Sequence, residues 1–108
     1  MSNEQQAPTH LFATIGALTE RGGRVTAATS GLTVAGLAVA RVGDIVTYED
    51  GSEAAITDGA GDYAVGGDKP FALVGSRLSN GDHIVETLQR SWGIHVPVGE
   101  PVDGLFDP

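Results

Sequence analysis

The hydrophobic residues of this chain fall into short runs of three to six residues, separated by glycines and polar turns. Runs of this length that are rich in β-branched and aromatic residues predict short strands, whereas a helix would need a longer amphipathic pattern. The predicted strands are residues 12–15, 24–27, 31–36, 39–42, 45–48, 53–57, 63–65, 71–74 and 83–87. The pattern therefore predicts an all-β fold with few or no helices.

The same pattern divides the chain into three parts. Residues 1–10 are polar and predict a flexible lead-in, and residues 11–87 hold all the predicted strands. Residues 88–108 are rich in proline and glycine, which predicts an extended tail. Apolar side chains of the tail that could contact a partner are those of Trp92, Ile94, Val96, Leu105 and Phe106. We expect the tail either to pack on its own domain or to dock on another protein.

Composition and charge exclude several classes of protein. The 108 residues contain no cysteine, which excludes a disulfide framework and a thiolate metal site. Six Lys and Arg against 14 Asp and Glu give a net charge of −8, so we expect neither nucleic acid nor an anionic membrane as a partner. The polar N-terminus predicts no signal peptide, and no apolar run approaches the roughly 20 residues of a membrane span. We expect synthesis in the cytoplasm and export, if any, by another route.

A short pattern occurs three times, in residues 13–17, 40–44 and 72–76. Each copy reads Ala, any residue, an aliphatic residue, Gly, and then a small or acidic residue. The repeated glycines are Gly16, Gly43 and Gly75. Because internal repeats can define a whole fold, we predict a pseudo-threefold arrangement of strand-and-turn units.

The second copy carries the most detailed motif. Residues 33–44 read as a strand, a glycine turn, a tetrad Ala-Val-Ala-Arg that ends at Ala40 and Arg41, and then Gly43 and Asp44. The third copy keeps a proline and Ala72 of this motif but has no arginine. These features resemble the PAAR family, whose members carry repeats of Pro-Ala-Ala-Arg-like motifs.

The resemblance covers residues 13–87 and implies a fold and a function. It implies a small cone of short strands with pseudo-threefold internal repeats, which caps and sharpens a trimeric β-helical spike, one monomer per trimer. Such tips belong to type VI secretion systems or to the contractile tails of phages and tailocins, and the sequence leaves open which of these it serves. Membrane piercing and the recruitment of effector cargo or baseplate proteins are the roles implied.

The resemblance also implies a zinc ion near the apex of the cone, held by His and Cys ligands. At the corresponding positions this sequence has Arg21, Tyr48, Glu53 and Asn80. Arginine and asparagine are implausible zinc ligands, and zinc requires about four converging donors. We therefore expect no cofactor and an apex held by hydrogen bonds, with Arg21 paired to a carboxylate such as Glu53, and we keep zinc as the alternative.

Histidine chemistry is sparse. His10, His83 and His95 lie far apart with no metal-type spacing, and only His83 lies near a predicted apex loop, where Glu53 or Asp82 could assist it. The sequence has none of the common nucleophile, phosphate-binding or zinc-protease motifs, so we expect no enzyme. The alternatives are a free-standing all-β binding module and a small acid/base hydrolase that uses His83.

Overall fold

The structure, a computed structural model, describes residues 10–61, 64–94 and 105–106. This part of the chain consists of short strands and turns and contains no α-helix, which confirms the all-β prediction. The strands are β1 (His10–Leu11), β2 (Leu18–Thr19), β3 (Arg24–Val25), β4 (Thr33–Val34), β5 (Leu37–Ala38), β6 (Ile45–Thr47), β7 (Glu53–Ala55), β8 (Val65–Gly66), β9 (Lys69–Pro70), β10 (Ile84–Glu86) and β11 (Gly93–Ile94).

The central strands pair into a closed ring. Five of them form an antiparallel sheet in the order β10-β2-β3-β6-β7. Two single-residue bridges, Ile56 with Leu78 and Arg77 with His83, continue the pairing from the end of β7 to the start of β10. A ring satisfies the backbone groups that an open sheet would leave at its two edges. Its buried apolar side chains include Val25, Val46, Ala54, Ile56, Leu78 and Ile84.

Three two-stranded ribbons lie outside the ring: β4 with β5, β8 with β9, and β1 with β11. The first two are local hairpins, whereas the third joins the two ends of the described domain, since His10 pairs with Ile94. A second apolar cluster includes ribbon residues and the segments that follow them. Its buried members are Phe12, Val34, Val39, Ala60, Leu73 and Ile94.

The segment 31–36, predicted as one strand, is instead part of a hairpin. Strand β4 ends at a turn in which Ala35 and Gly36 both have positive φ, 52° and 78°, and the chain then reverses into β5. Two positive φ values define the tight turn that suits a two-residue hairpin. Alanine at the first of these positions is unfavourable, which is why the sequence pattern did not indicate the reversal.

Other predicted elements differ in length. Residues 12–15, 39–42 and 71–74 make single-residue bridges instead of continuous strands, because successive N–H groups there bond to different segments. Strand β7 ends at Ala55, short of the predicted end at residue 57. His10, predicted to lie in the flexible lead-in, forms part of β1. Of the predicted strand 63–65, residue 63 lies outside the described residues.

Candidate functional site

The three glycines of the repeat occupy matching turns. Their φ angles are 84° at Gly16, 96° at Gly43 and 104° at Gly75, a region that favours glycine because a Cβ would be strained there. In each copy the residue after the glycine donates its N–H to the carbonyl three residues earlier, at 2.9 to 3.0 Å. The glycine N–H groups donate at 2.8 to 2.9 Å to the carbonyls of Val25, Ile56 and Ile84, respectively.

The three alanines of the repeat form a closed cycle of backbone hydrogen bonds. Ala13 N–H donates to the Ala72 carbonyl, Ala72 to Ala40, and Ala40 to Ala13, each at 2.9 Å. All three residues are fully buried. Equivalent residues that bond in a cycle are what rotation by a third of a turn would produce. The matching bonds support the pseudo-threefold arrangement, which stays a prediction.

One backbone N–H at the start of each glycine turn is bonded by a side chain. The Arg41 N–H donates to the Asp44 carboxylate at 2.9 Å, and the Leu73 N–H donates to the Ser76 hydroxyl at 2.9 Å. The Thr14 N–H donates to the Thr87 hydroxyl at 3.2 Å. In the first copy Ala17 stands where Asp44 and Ser76 stand in the others and has no acceptor. The hydroxyl of Thr87, from a distant segment, takes its place and satisfies a buried donor that would otherwise be costly.

Arg41 and Asp44 hold neighbouring segments together. The Arg41 guanidinium donates to the Gly66 carbonyl of β8 at 2.6 Å and lies 3.8 Å from the Asp68 carboxylate. The buried Asp44 carboxylate accepts from the N–H and hydroxyl of Thr29 at 2.9 and 2.6 Å. The motif residues therefore brace the second unit against the ribbon of the third.

Four of the five predicted apex residues lie together around Asp82. The Tyr48 hydroxyl donates to Asp82 Oδ2 at 2.6 Å, and the Asn80 amide donates to the Tyr48 hydroxyl at 3.1 Å. The Arg21 backbone N–H lies 3.3 and 3.4 Å from the two Asp82 carboxylate oxygens, and its guanidinium donates to the Asn80 carbonyl at 3.3 Å. The His83 N–H donates to Asp82 Oδ1 at 2.8 Å. We define these five residues as the apex cluster.

Asp82 is the buried charge of the apex cluster. Burial raises the pKa of its carboxyl, but hydrogen bonds from the Thr19 and Tyr48 side chains and from the His83 and Arg21 backbone bring that pKa below its usual range. Burial, together with the bond to Asp82, raises the pKa of Tyr48. At neutral pH, Asp82 is therefore an ionised acceptor and Tyr48 a protonated donor.

The predicted pairing of Arg21 with Glu53 is wrong for the described residues. Glu53 is exposed at the start of β7, and Arg21 bonds to Asn80 and Asp82 instead. Sequence reasoning named Asp82 only as an assistant to His83. Its position directly after the turn glycine Gly81 was the available signal.

The apex does not fit the zinc ion that the PAAR resemblance implies. Arg21 and Asn80 present N–H donors, and both Asp82 oxygens already accept hydrogen bonds. Among the described residues, Glu20, Asp82 and His83 each offer one possible ligand atom within 4.8 Å of the others, which is fewer than the about four donors of a zinc site. The His83 imidazole Nδ1 lies 3.7 Å from the Glu20 carboxylate.

The tail packs on its own domain as far as the structure describes it. Ile94 is buried in the second apolar cluster, and Leu105 and Phe106 pack against that cluster. The Phe106 ring meets His10 edge-on, with ring centroids 5.1 Å apart. Arg77 donates to the Phe106 carbonyl at 2.5 Å. Of the predicted docking residues these three have partners within the chain, which accords with the first of the two expectations.

Of the remaining tail residues named above, one is described by the structure and two are not. Trp92 is 56% exposed and is available for contact with a partner. Val96 and His95 lie outside the described residues.

Gln89, which sequence reasoning did not single out, binds the tail to the domain. Its buried amide donates to the carbonyls of Phe12 and Trp92 at 3.0 and 2.8 Å and accepts the N–H groups of Ser91 and Trp92 at 2.9 and 2.8 Å. We expect Gln89→Ala to lower the free energy of unfolding by about 2 kcal/mol, because four bonds of a buried group are lost. Urea denaturation measures this; Ser91→Ala, at an exposed position, is the control and should change it by less than about 0.5 kcal/mol. Equal values for the two variants would contradict this role.

Comparison with known proteins is consistent with this geometry. No helix among the described residues is long and apolar enough to cross a membrane. A search of curated proteins found no match. The family profile described as PAAR motif matches residues 15–86, well over half of the chain. That span begins within the first glycine turn, ends at the last residue of β10, and includes Gly16, Gly43, Gly75 and the apex cluster. The chain therefore belongs to the PAAR motif family.

Proposed function

We propose that this chain is a spike tip that caps a trimeric β-helical spike, one copy per trimer. PAAR proteins are structural components of injection machines, either type VI secretion systems or contractile phage and tailocin tails. The observation that carries the proposal for this chain is the cyclic bonding of Ala13, Ala40 and Ala72. A single chain with three equivalent units can match a partner that has three equivalent subunits.

The ribbons are the surface that we assign to the spike. Leu11, Ala38 and Pro70 each precede an alanine of the cycle by two residues, and each lies in a ribbon strand. A trimeric β-helix ends in three strand edges with unpaired backbone groups, which must be covered. Adding strands to such edges is a common mode of recognition. Three ribbons at equivalent places in the repeat are suited to three such edges.

The opposite end of the repeat is assigned to the point of the tip. The loops that carry Arg21, Tyr48 and Asn80 follow the three alanines in the chain, whereas the ribbon strands β1, β5 and β9 precede the alanines. Exposed acidic side chains lie on or beside these loops: Glu20, Glu49, Asp50 and Glu53. Because anionic lipids repel carboxylates, we do not expect an acidic point to adhere to a membrane surface. The role that we propose is mechanical and non-enzymatic. The exposed Trp92 is a candidate contact for cargo or baseplate proteins.

Mixing the chain with a trimeric spike protein and weighing the complex by native mass spectrometry tests the proposal. We expect a complex of one chain with three spike subunits. Val65 lies on β8 and is 43% exposed, so Val65→Asp should weaken binding by about tenfold or more without unfolding the domain. Glu53→Gln, at the other end of the repeat, is the control and should bind like the original chain. A complex with three copies per trimer, or no complex, would refute the proposal.

A further inference from the structure

The apex cluster joins all three repeated units at one point. Arg21 lies in the loop between β2 and β3, Tyr48 in the loop between β6 and β7, and Asn80 in the loop before β10. In each of these three loops a tight turn brings an N–H to a carbonyl three residues earlier. The corresponding donors are Gly22, Gly51 and Gly81, bonded to Thr19, Tyr48 and Leu78 at 2.9 to 3.1 Å. Each loop therefore supplies at least one member of the cluster, and a single group at the centre could hold the three loops together.

That central group is the Asp82 carboxylate. It is 1% exposed and accepts from the Tyr48 hydroxyl and from the backbone N–H groups of Arg21 and His83. Hydrogen bonds to an ionised acceptor are shorter and stronger than those between neutral groups, and the Tyr48 bond is 2.6 Å. Tyr48 in turn accepts from the Asn80 amide. The carboxylate thus links the second loop directly to the first and third.

This arrangement satisfies the apex without a cation. A metal ion at the apex would have to displace the Tyr48 hydroxyl or the Arg21 and His83 N–H groups from Asp82, and each displaced donor would lose a bond in a buried setting. The two other possible ligand atoms nearby belong to Glu20 and His83, whose side chains are 67% and 41% exposed. A cation would therefore gain two solvated ligands and disrupt a satisfied network.

We propose that the Asp82 carboxylate takes the structural role of an apex metal in this chain, so that the three loops are held together without a bound ion. The inference goes beyond the capping role and concerns the isolated chain. Its test needs no spike protein, so a failure of spike binding would leave it unaffected, and its own failure would leave the capping role unaffected.

Metal content and metal response are the first measurement. Elemental analysis of protein purified without a metal-affinity tag should find well below one equivalent of zinc or any other transition metal per chain. Addition of EDTA, or of zinc chloride alone, should shift the Tm by less than about 2 °C, since a site occupied well above its Kd shifts it much further. One equivalent of metal, a Tm that falls with EDTA, or a Tm that rises by several degrees with micromolar zinc would overturn the proposal.

Variants of the apex cluster are the second measurement. Asp82→Asn should lower the Tm by about 10 °C, because the charge that holds the loops is lost. Glu49→Gln removes an exposed carboxylate beside Tyr48 and is the control, with an expected shift below about 2 °C. Should Asp82→Asn fail to fold, Tyr48→Phe keeps the ring, removes only the bonded hydroxyl, and should lower the Tm by about 5 °C. An unchanged Tm for Tyr48→Phe, or equal values for Asp82→Asn and Glu49→Gln, would overturn the proposal.

Discussion

Gly93→Ala should lower the free energy of unfolding by about 3 kcal/mol or more, at the upper end of the usual cost of overpacking. A Cβ at this position would lie 2.1 Å from the His10 carbonyl oxygen and 2.7 Å from the Leu11 Cα. Both contacts are backbone atoms, which cannot rotate away as a side chain would. Strands β1 and β11 would have to separate, and the ribbon that joins the two ends of the domain would open.

Urea denaturation followed by the fluorescence of Trp92, the single tryptophan of the chain, measures this effect next to the altered ribbon. Gly31→Ala is the control, because a Cβ there meets nothing within 4 Å and only the positive φ of 85° is unfavourable. Its cost should be about 1 kcal/mol. If Gly93→Ala cost no more than Gly31→Ala, the assignment of β1–β11 as a closely packed ribbon would be wrong.

The parts of the fold that the sequence predicted are those set by local conformation. Gly16, Gly43 and Gly75 could be recognised because a positive φ selects glycine directly, and the alternation of short apolar runs with glycines indicated strands. The hairpin turn at Ala35 was not predicted, because alanine is an unusual residue at a positive φ and therefore gave no turn signal. Local rules thus predicted glycine turns and short strands, and failed where the chain departs from those rules.

The parts that the sequence did not predict depend on contacts between distant segments. Thr14 N–H bonds to the Thr87 hydroxyl across 73 positions, and Gln89 bonds to the Phe12 carbonyl across 77. No local pattern distinguishes such a threonine or glutamine from a solvated one. At the apex, motif position singled out Arg21, Tyr48 and Asn80, which lie around Asp82 in the structure. The role of Asp82 as the acceptor at their centre became evident only from the folded geometry.

The second large effect on stability is expected from substitution of the alanines of the hydrogen-bonded cycle. Ala40→Val should lower the free energy of unfolding by about 3 kcal/mol, because the residue is fully buried and its backbone is fixed by bonds to both other members of the cycle. Valine favours strands, so a loss cannot be attributed to strand propensity. Ala55→Val, on a half-buried strand position of β7, is the matched control and should change stability by about 0.5 kcal/mol or less.

The same substitution at Ala13 and Ala72 tests the pseudo-threefold arrangement itself. If the three alanines surround one axis, each valine meets the other two alanines in the same way, and the three costs should agree within about 1 kcal/mol. The double variant of Ala13 and Ala40 should depart from additivity, since neighbouring residues share the same space. Chemical denaturation of the three single variants and the double variant supplies all the values. A large cost at one alanine and small costs at the other two would show that the three units do not share a common centre, and the match to a threefold spike would lose its physical basis.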